Sequence, residues 1–231
     1  VMGYHGYLMG KNIPFESVAA RLFNKDFFAK LQKYANAASE QLAKERGLPL
    51  DGGTRRNTYM LSLQPTASTA FLCGNASPSI ETVTANAYLQ KTLSGSFLVK
   101  NKYLDAVLRT KGVNVEEVWQ SVIATKGSVQ HLDCLTDEEK AVFRTATEIN
   151  MREVIQQAAD RQPFICQAQS LNLFFATPIS GRYMHDVHLM AWKLGVKTLY
   201  YLRSSSPIEA DKVNVKVAKR DLSTEECAVC Q

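Results

Sequence analysis

Apolar side chains at Val18, Leu22, Phe23, Phe27, Leu31, Tyr34 and Leu42 follow the three-to-four spacing of one helical face, and Ser17 stands where an N-cap belongs. The pattern predicts a long helix running to Gly47, with a bend near Asn24-Lys25-Asp26. Thr58 to Leu63 reads instead as a buried strand stopped by Pro65, and the small residues from Thr66 to Ser79 as a loop. Helices are predicted near 101–111, 115–125, 137–149 and 150–161, the third opened by Asp137-Glu138-Glu139 at the positive end of its dipole. Phe164-Ile165-Cys166 and Ser170 to Phe175 read as extended, 181–194 as a helix ended by Gly195, and Thr198-Leu199-Tyr200-Tyr201-Leu202 as the last strand. Strands separated by helices predict an α/β architecture around a mainly parallel sheet of three or four strands.

The two ends differ in kind. Val1 to Leu8 is already apolar and patterned, so the chain is expected to start inside a larger domain. After Arg203 the periodicity stops, and 204–231 reads as a mobile tail appended to a folded unit over 1–203. With 231 residues the folded part can bury a sizeable core. No run of apolar residues is long enough to span a bilayer, and no signal peptide opens the chain, so the expected compartment is the cytoplasm. The net charge of +5 comes from bases scattered along helices; no nucleic-acid groove is expected, and small anions suit it as well.

Three features carry candidate chemistry. Gln64-Pro65-Thr66-Ala67-Ser68-Thr69-Ala70 follows the first predicted strand, where small side chains, hydroxyls and free N–H groups could cradle a phosphate; an ordinary polar loop with a capping residue has the same composition. Tyr200 and Tyr201 are consecutive, which in a regular strand sends one to the core and one to the surface; if the rings stack, the backbone must leave strand geometry there. Cys227 and Cys230 form a Cys-x-x-Cys pair, read either as half a zinc site or as a thiol–disulfide exchange pair, and a tail position favours exchange because it can visit two places in turn. His185 and His188 lie three apart on one helix without an evident third ligand.

Taken in order, the Pro65-Thr66-Ala67-Ser68-Thr69-Ala70 loop, Gly74-Asn75, Ser79-Ile80-Glu81, Leu93-Ser94-Gly95-Ser96-Phe97, Gln169-Ser170-Leu171-Asn172, Gly195 to Arg203 and the terminal cysteine pair resemble the C-terminal part of a class I ribonucleotide reductase large subunit. The resemblance implies the second half of a ten-stranded α/β barrel, incomplete in this chain. It implies that Pro65, Thr66, Ala67, Ser68 and Thr69 form the substrate phosphate loop. Tyr200 and Tyr201 would relay a radical, and Cys227 and Cys230 would reduce the active-site disulfide and be reduced in turn by thioredoxin or glutaredoxin.

The departures matter equally. The family's radical-bearing cysteine and substrate-reducing cysteine pair have no counterpart here, and Cys73, Cys134 and Cys166 are expected to be buried structural thiols. The resemblance therefore implies a partner supplying the upstream half of the large subunit, a small radical-generating subunit that holds the metal-radical centre, and a ribonucleoside diphosphate substrate, with no cofactor bound by this chain. The alternative is a non-catalytic fragment that binds the small subunit.

Overall fold

The computed structural model describes residues 1–92 and 95–204. The tail cysteines Cys227 and Cys230 therefore lie outside the described residues. Helix α1 (Tyr4–Gly10) leads into α2 (Val18–Arg46), which is 29 residues long, uninterrupted, and capped as the pattern requires: the Ser17 side chain accepts the Ala20 N–H at 3.1 Å. Lys44 and Arg46 face the negative end of its dipole, and Gly47 ends it at φ 79°, a conformation that costs glycine little. A short helix α3 (Ala67–Leu72) occupies part of the expected loop. The hairpin β1 (Ala87–Thr92) and β2 (Gly95–Lys100) comes next, then α4 (Lys102–Thr110), α5 (Val115–Ala124), α6 (Asp137–Val142) and α7 (Met151–Arg161). A 3-10 turn (Gln162–Phe164), β3 (Leu173–Phe175), α8 (Gly181–Lys193) and β4 (Leu202–Ser204) complete the described chain. No helix among the described residues is long and apolar enough to cross a membrane.

Among the described residues two apolar clusters form. The larger joins α1, α2, α7, β3 and α8 through Tyr4, Leu8, Phe28, Ile155, Leu173 and Val187. The smaller gathers α4, α5 and α6 around the fully buried Trp119 with Leu104, Leu108 and Val122.

Several expectations are corrected, each for a visible reason. Thr58–Leu63 is not a strand: the N–H groups of Met60 and Leu61 both donate to the Cys166 thiol at 3.1 Å rather than to a ladder carbonyl, and only Leu63 forms a bridge, parallel to Gln169. Residues 143–149 do not extend α6, because the Ala146 N–H donates to the Val83 carbonyl and the Thr145 N–H to the Glu148 carboxylate, leaving no helical ladder. Pro163 sits in the 3-10 turn that replaces the first part of the extended segment at 164–166. The antiparallel hairpin, paired from Ala87 with Lys100 to Thr92 with Gly95, was not anticipated, although apolar runs flank Ser94-Gly95. In place of one mainly parallel sheet, the described residues hold two two-stranded sheets, of which only β3–β4 is parallel.

The thiols are also corrected. Cys73 and Cys166 are exposed and Cys134 is half-buried. Burial pushes the Cys166 thiol up, but the amide hydrogen bonds from Leu61 and Met60 outweigh it and leave it below the usual thiol value.

Polar groups inside the larger cluster are almost all paired. Arg161, fully buried, donates to Gln169 Oε1 at 2.6 Å and Asn24 Oδ1 at 3.2 Å, and its guanidinium lies over Phe28. Gln169 donates in turn to the Ala158 carbonyl, so α2, α7 and the segment leading to β3 share one polar link. His5 is different: Nδ1 accepts the Val83 N–H at 3.0 Å, whereas Nε2 is buried without a hydrogen-bond partner.

Burial pushes the His5 imidazole down from its ordinary 6.5 to about 3. A depressed folded-state value means that the stability contributed by neutral His5 is whole above 6.5 and is lost as the pH falls toward 3. Relative to a His5→Leu variant, the wild-type protein is expected to lose about 2 kcal/mol of unfolding free energy between about pH 7 and pH 5. Urea unfolding at the two pH values checks this; parallel pH profiles would show that His5 titrates normally.

Candidate functional site

Three segments run side by side. In the middle lies 167–175, which receives Leu63 on one side and 200–204 on the other. Leu63 donates to the Ala168 carbonyl and accepts from Ser170 N–H. On the far side the Tyr200 N–H donates to the Leu171 carbonyl at 2.9 Å, and the Leu173 N–H to the Tyr201 carbonyl at 2.9 Å. One segment thus positions both the small-residue loop, which begins two residues after Leu63, and the tyrosine pair.

In the loop, Pro65 and Thr66 are half-buried while Ala67, Ser68 and Thr69 are exposed. Thr66 is the N-cap of α3, but its hydroxyl does not cap the helix; it accepts the Ser79 N–H at 2.8 Å and so closes the loop on itself. The Ala67 N–H is taken by the Pro65 carbonyl and the Ala70 N–H by the Thr66 carbonyl, so of the first-turn amides those of Ser68 and Thr69 are left without a helical acceptor, on residues that are exposed. Ala67 and Ser68 border a concave cavity of about 800 Å³ that reaches to α1, the hairpin and Tyr103, with Lys100, Lys102 and Glu81 on its wall. Lys100 is paired with Glu116 at 2.9 Å.

Tyr200 and Tyr201 are each about half exposed, and their rings meet with centroids 4.2 Å apart at a 52° tilt. They precede β4 and lie outside it, which resolves the two readings left open by the sequence: neighbouring side chains share a side here because the backbone is not regular strand. The Tyr201 side chain beside it raises the Tyr200 phenol above its ordinary value. The Arg203 guanidinium lies 5.1 Å from the Tyr201 ring centroid.

Behind the pair stand residues that the sequence did not single out for a role. Asn172 accepts the Tyr201 N–H at 3.0 Å on Oδ1 and donates from Nδ2 to Glu81 Oε1 at 2.6 Å. Burial pushes the Glu81 carboxyl up, against the Asn172 hydrogen bond and the Arg203 charge, which favour its ionised form. The available signal was their place in Ser79-Ile80-Glu81 and Gln169-Ser170-Leu171-Asn172, two stretches that carry the resemblance without a role for either residue.

The histidine pair on α8 gathers no ligands: His188 Nδ1 lies 2.7 Å from the Met184 carbonyl, and no group of three potential metal ligands occurs among the described residues.

Comparison with known proteins shows the family. Residues 1–55 and 51–202 match the model of the ribonucleotide reductase barrel domain. The chain is 47% identical over 220 residues to the ribonucleoside-diphosphate reductase large subunit of Invertebrate iridescent virus 6, covering 93% of this chain and 23% of the viral one. It is 40% identical over 236 residues to the large subunit of Invertebrate iridescent virus 3, covering all of this chain and 38% of that one. Among solved structures, a class Id ribonucleotide reductase alpha subunit from Actinobacillus ureae superposes with a TM-score of 0.83 at 43% identity, covering 89% of this chain and 38% of its own. The chain thus spans well under half the length of these relatives. Because the barrel model accounts for nearly every described residue and the fold agrees at high identity, this α/β chain belongs to the ribonucleotide reductase barrel-domain family.

Proposed function

We propose that this chain works as part of a ribonucleoside-diphosphate reductase large subunit, converting ribonucleoside diphosphates to deoxyribonucleoside diphosphates for DNA synthesis by thiyl-radical chemistry. The observation that carries this reading is the Tyr200–Tyr201 ring contact in a chain of this family. Two oxidisable phenols in van der Waals contact suit a chain of short hops. Each hop returns one electron and one proton to the oxidised station, so the relay ends with a thiol as thiyl radical and the distant oxidant reduced.

In this reading the loop Pro65, Thr66, Ala67, Ser68 and Thr69 holds the substrate diphosphate. The hydroxyls and N–H groups of the exposed Ser68 and Thr69 supply donors to anionic oxygens, and Lys102 adds positive charge on the neighbouring cavity wall. The upstream half of the large subunit completes the ten-stranded barrel and brings the radical cysteine and the substrate-reducing pair. A small subunit with its metal-radical centre supplies the oxidising equivalent. Cys227 and Cys230 return electrons from thioredoxin or glutaredoxin.

Ser68→Ala, made in the complete large subunit and assayed with its small subunit, tests the loop. A lost hydrogen bond to a charged oxygen costs about 1.5–3 kcal/mol, so KM for cytidine diphosphate should rise about tenfold or more. Thr66→Val should do at least as much, because it also frees the Ser79 N–H. Unchanged affinity in both variants would remove the loop from substrate binding. Failure of the wild-type assembly to form any deoxycytidine diphosphate, with small-subunit binding intact, would favour the non-catalytic reading.

A further inference from the structure

The loop and the tyrosine pair are separated by more than a hundred residues of chain, yet three hydrogen bonds and a two-residue stretch of backbone join them. Thr66 Oγ1 holds the Ser79 N–H; Ser79 is two residues from Glu81; Glu81 Oε1 holds Asn172 Nδ2; and Asn172 Oδ1 holds the Tyr201 N–H. Asn172 is only 6% exposed, so solvent does not compete for its amide. Regular strand pairing does not reach Tyr201, because β3 and β4 pair only from Leu173 with Leu202 onward. The Tyr200 N–H and Tyr201 carbonyl hold main-chain partners on the 171–173 segment, but the Tyr201 N–H has the Asn172 side chain. That side-chain acceptor fixes a peptide plane which the sheet alone leaves free, and the plane sets where the two rings meet.

We propose that Asn172, oriented by Glu81, is a positioning residue for the tyrosine pair, holding Tyr200 and Tyr201 in ring contact at a fixed place relative to the Thr66 loop. Asn172 uses both ends of its amide, one toward each element, so it cannot rotate without breaking one bond. Glu81 is an acceptor in either protonation state, and Gln can replace it in that role. Neither residue touches substrate or a reacting atom in this account. The inference rests on the relay reading for its effect on turnover, and on geometry alone for its effect on the rings.

The test uses the complete large subunit with its small subunit. Asn172→Ala should lower kcat about tenfold or more while leaving KM for cytidine diphosphate within about twofold, because the rings move and the substrate does not, and Glu81→Ala should lower kcat to a similar extent. Glu81→Gln should restore most of kcat, a rescue that a requirement for negative charge would not give. Fluorotyrosine placed at position 200 supplies a readout independent of activity. Its phenol titration, followed by fluorine NMR, should shift downward in Asn172→Ala as the Tyr201 side chain leaves it. If Asn172→Ala fails to fold, Glu81→Ala, at the more exposed end, gives the same two readouts. An unmoved fluorine titration in both alanine variants would overturn the proposal even if the relay stands. Full turnover by Tyr201→Phe together with a shifted titration would remove the relay and leave the positioning role intact.

Discussion

Tyr201→Phe is expected to bring ribonucleotide reduction to background while the fold and the affinity for substrate stay as they are. The substitution deletes one hydroxyl from a ring that is 52% exposed, so the cost in stability should fall within about 0.5 kcal/mol. The ring remains to meet Tyr200, and the backbone bonds of residue 201 to Leu173 and Asn172 do not involve the phenol. What disappears is a group that can give up an electron and a proton together. A hopping chain stops when one station is missing, so Tyr200→Phe should have the same effect. Turnover of cytidine diphosphate, binding of the same substrate and thermal unfolding would be measured on each variant. Substantial turnover by either one refutes an obligatory relay through that residue.

The second large effect is expected from the tail and differs in time course. In the assembled enzyme, a Cys227→Ser/Cys230→Ser double variant that has been fully reduced beforehand should complete its first turnover and then stop when thioredoxin is the sole reductant. Under the proposed reading the chemical step does not need the Cys227–Cys230 pair; the return of electrons does. Disulfide exchange requires a thiolate to reach the sulfur it attacks, and a folded reductant cannot enter a barrel that a short chain segment can. A small dithiol should therefore restore part of the steady-state rate. The acidic neighbours Glu225 and Glu226 do not favour thiolate formation, so the shuttle reading rests on access and not on an activated thiol. A zinc half-site predicts another outcome, namely bound metal and loss of folding or assembly when the cysteines are removed. Repeated thioredoxin-driven turnover by the double variant would end the shuttle assignment.

Local signals read well where the chain's own neighbours make the decision. Ser17 caps α2 and Gly47 ends it, Asp137-Glu138-Glu139 form the first turn of α6, and α4, α5, α7 and α8 begin and stop within a few residues of their expected ends. These outcomes depend on hydrogen bonds spanning three or four residues and on the period of the apolar face, both of which are written in consecutive sequence. The tyrosine pair and the small-residue loop were likewise legible as candidates, because their chemistry belongs to residue type and adjacency.

Tertiary structure decided the rest, and it did so through partners distant in sequence. Cys166, more than a hundred residues away, takes the amides that would have made Thr58–Leu63 a strand. Val83 takes the amide that would have continued α6 past Phe143. Asn172 takes the Tyr201 amide, and the two rings meet in a stretch of backbone that is not a strand. Residue type and spacing determined where α2, α4, α5, α7 and α8 run and which side chains stand as candidates for chemistry. A backbone N–H accepts whichever good acceptor the fold brings to it, so where strands begin, which thiols are exposed and how the two tyrosines sit were settled only when the chain closed on itself.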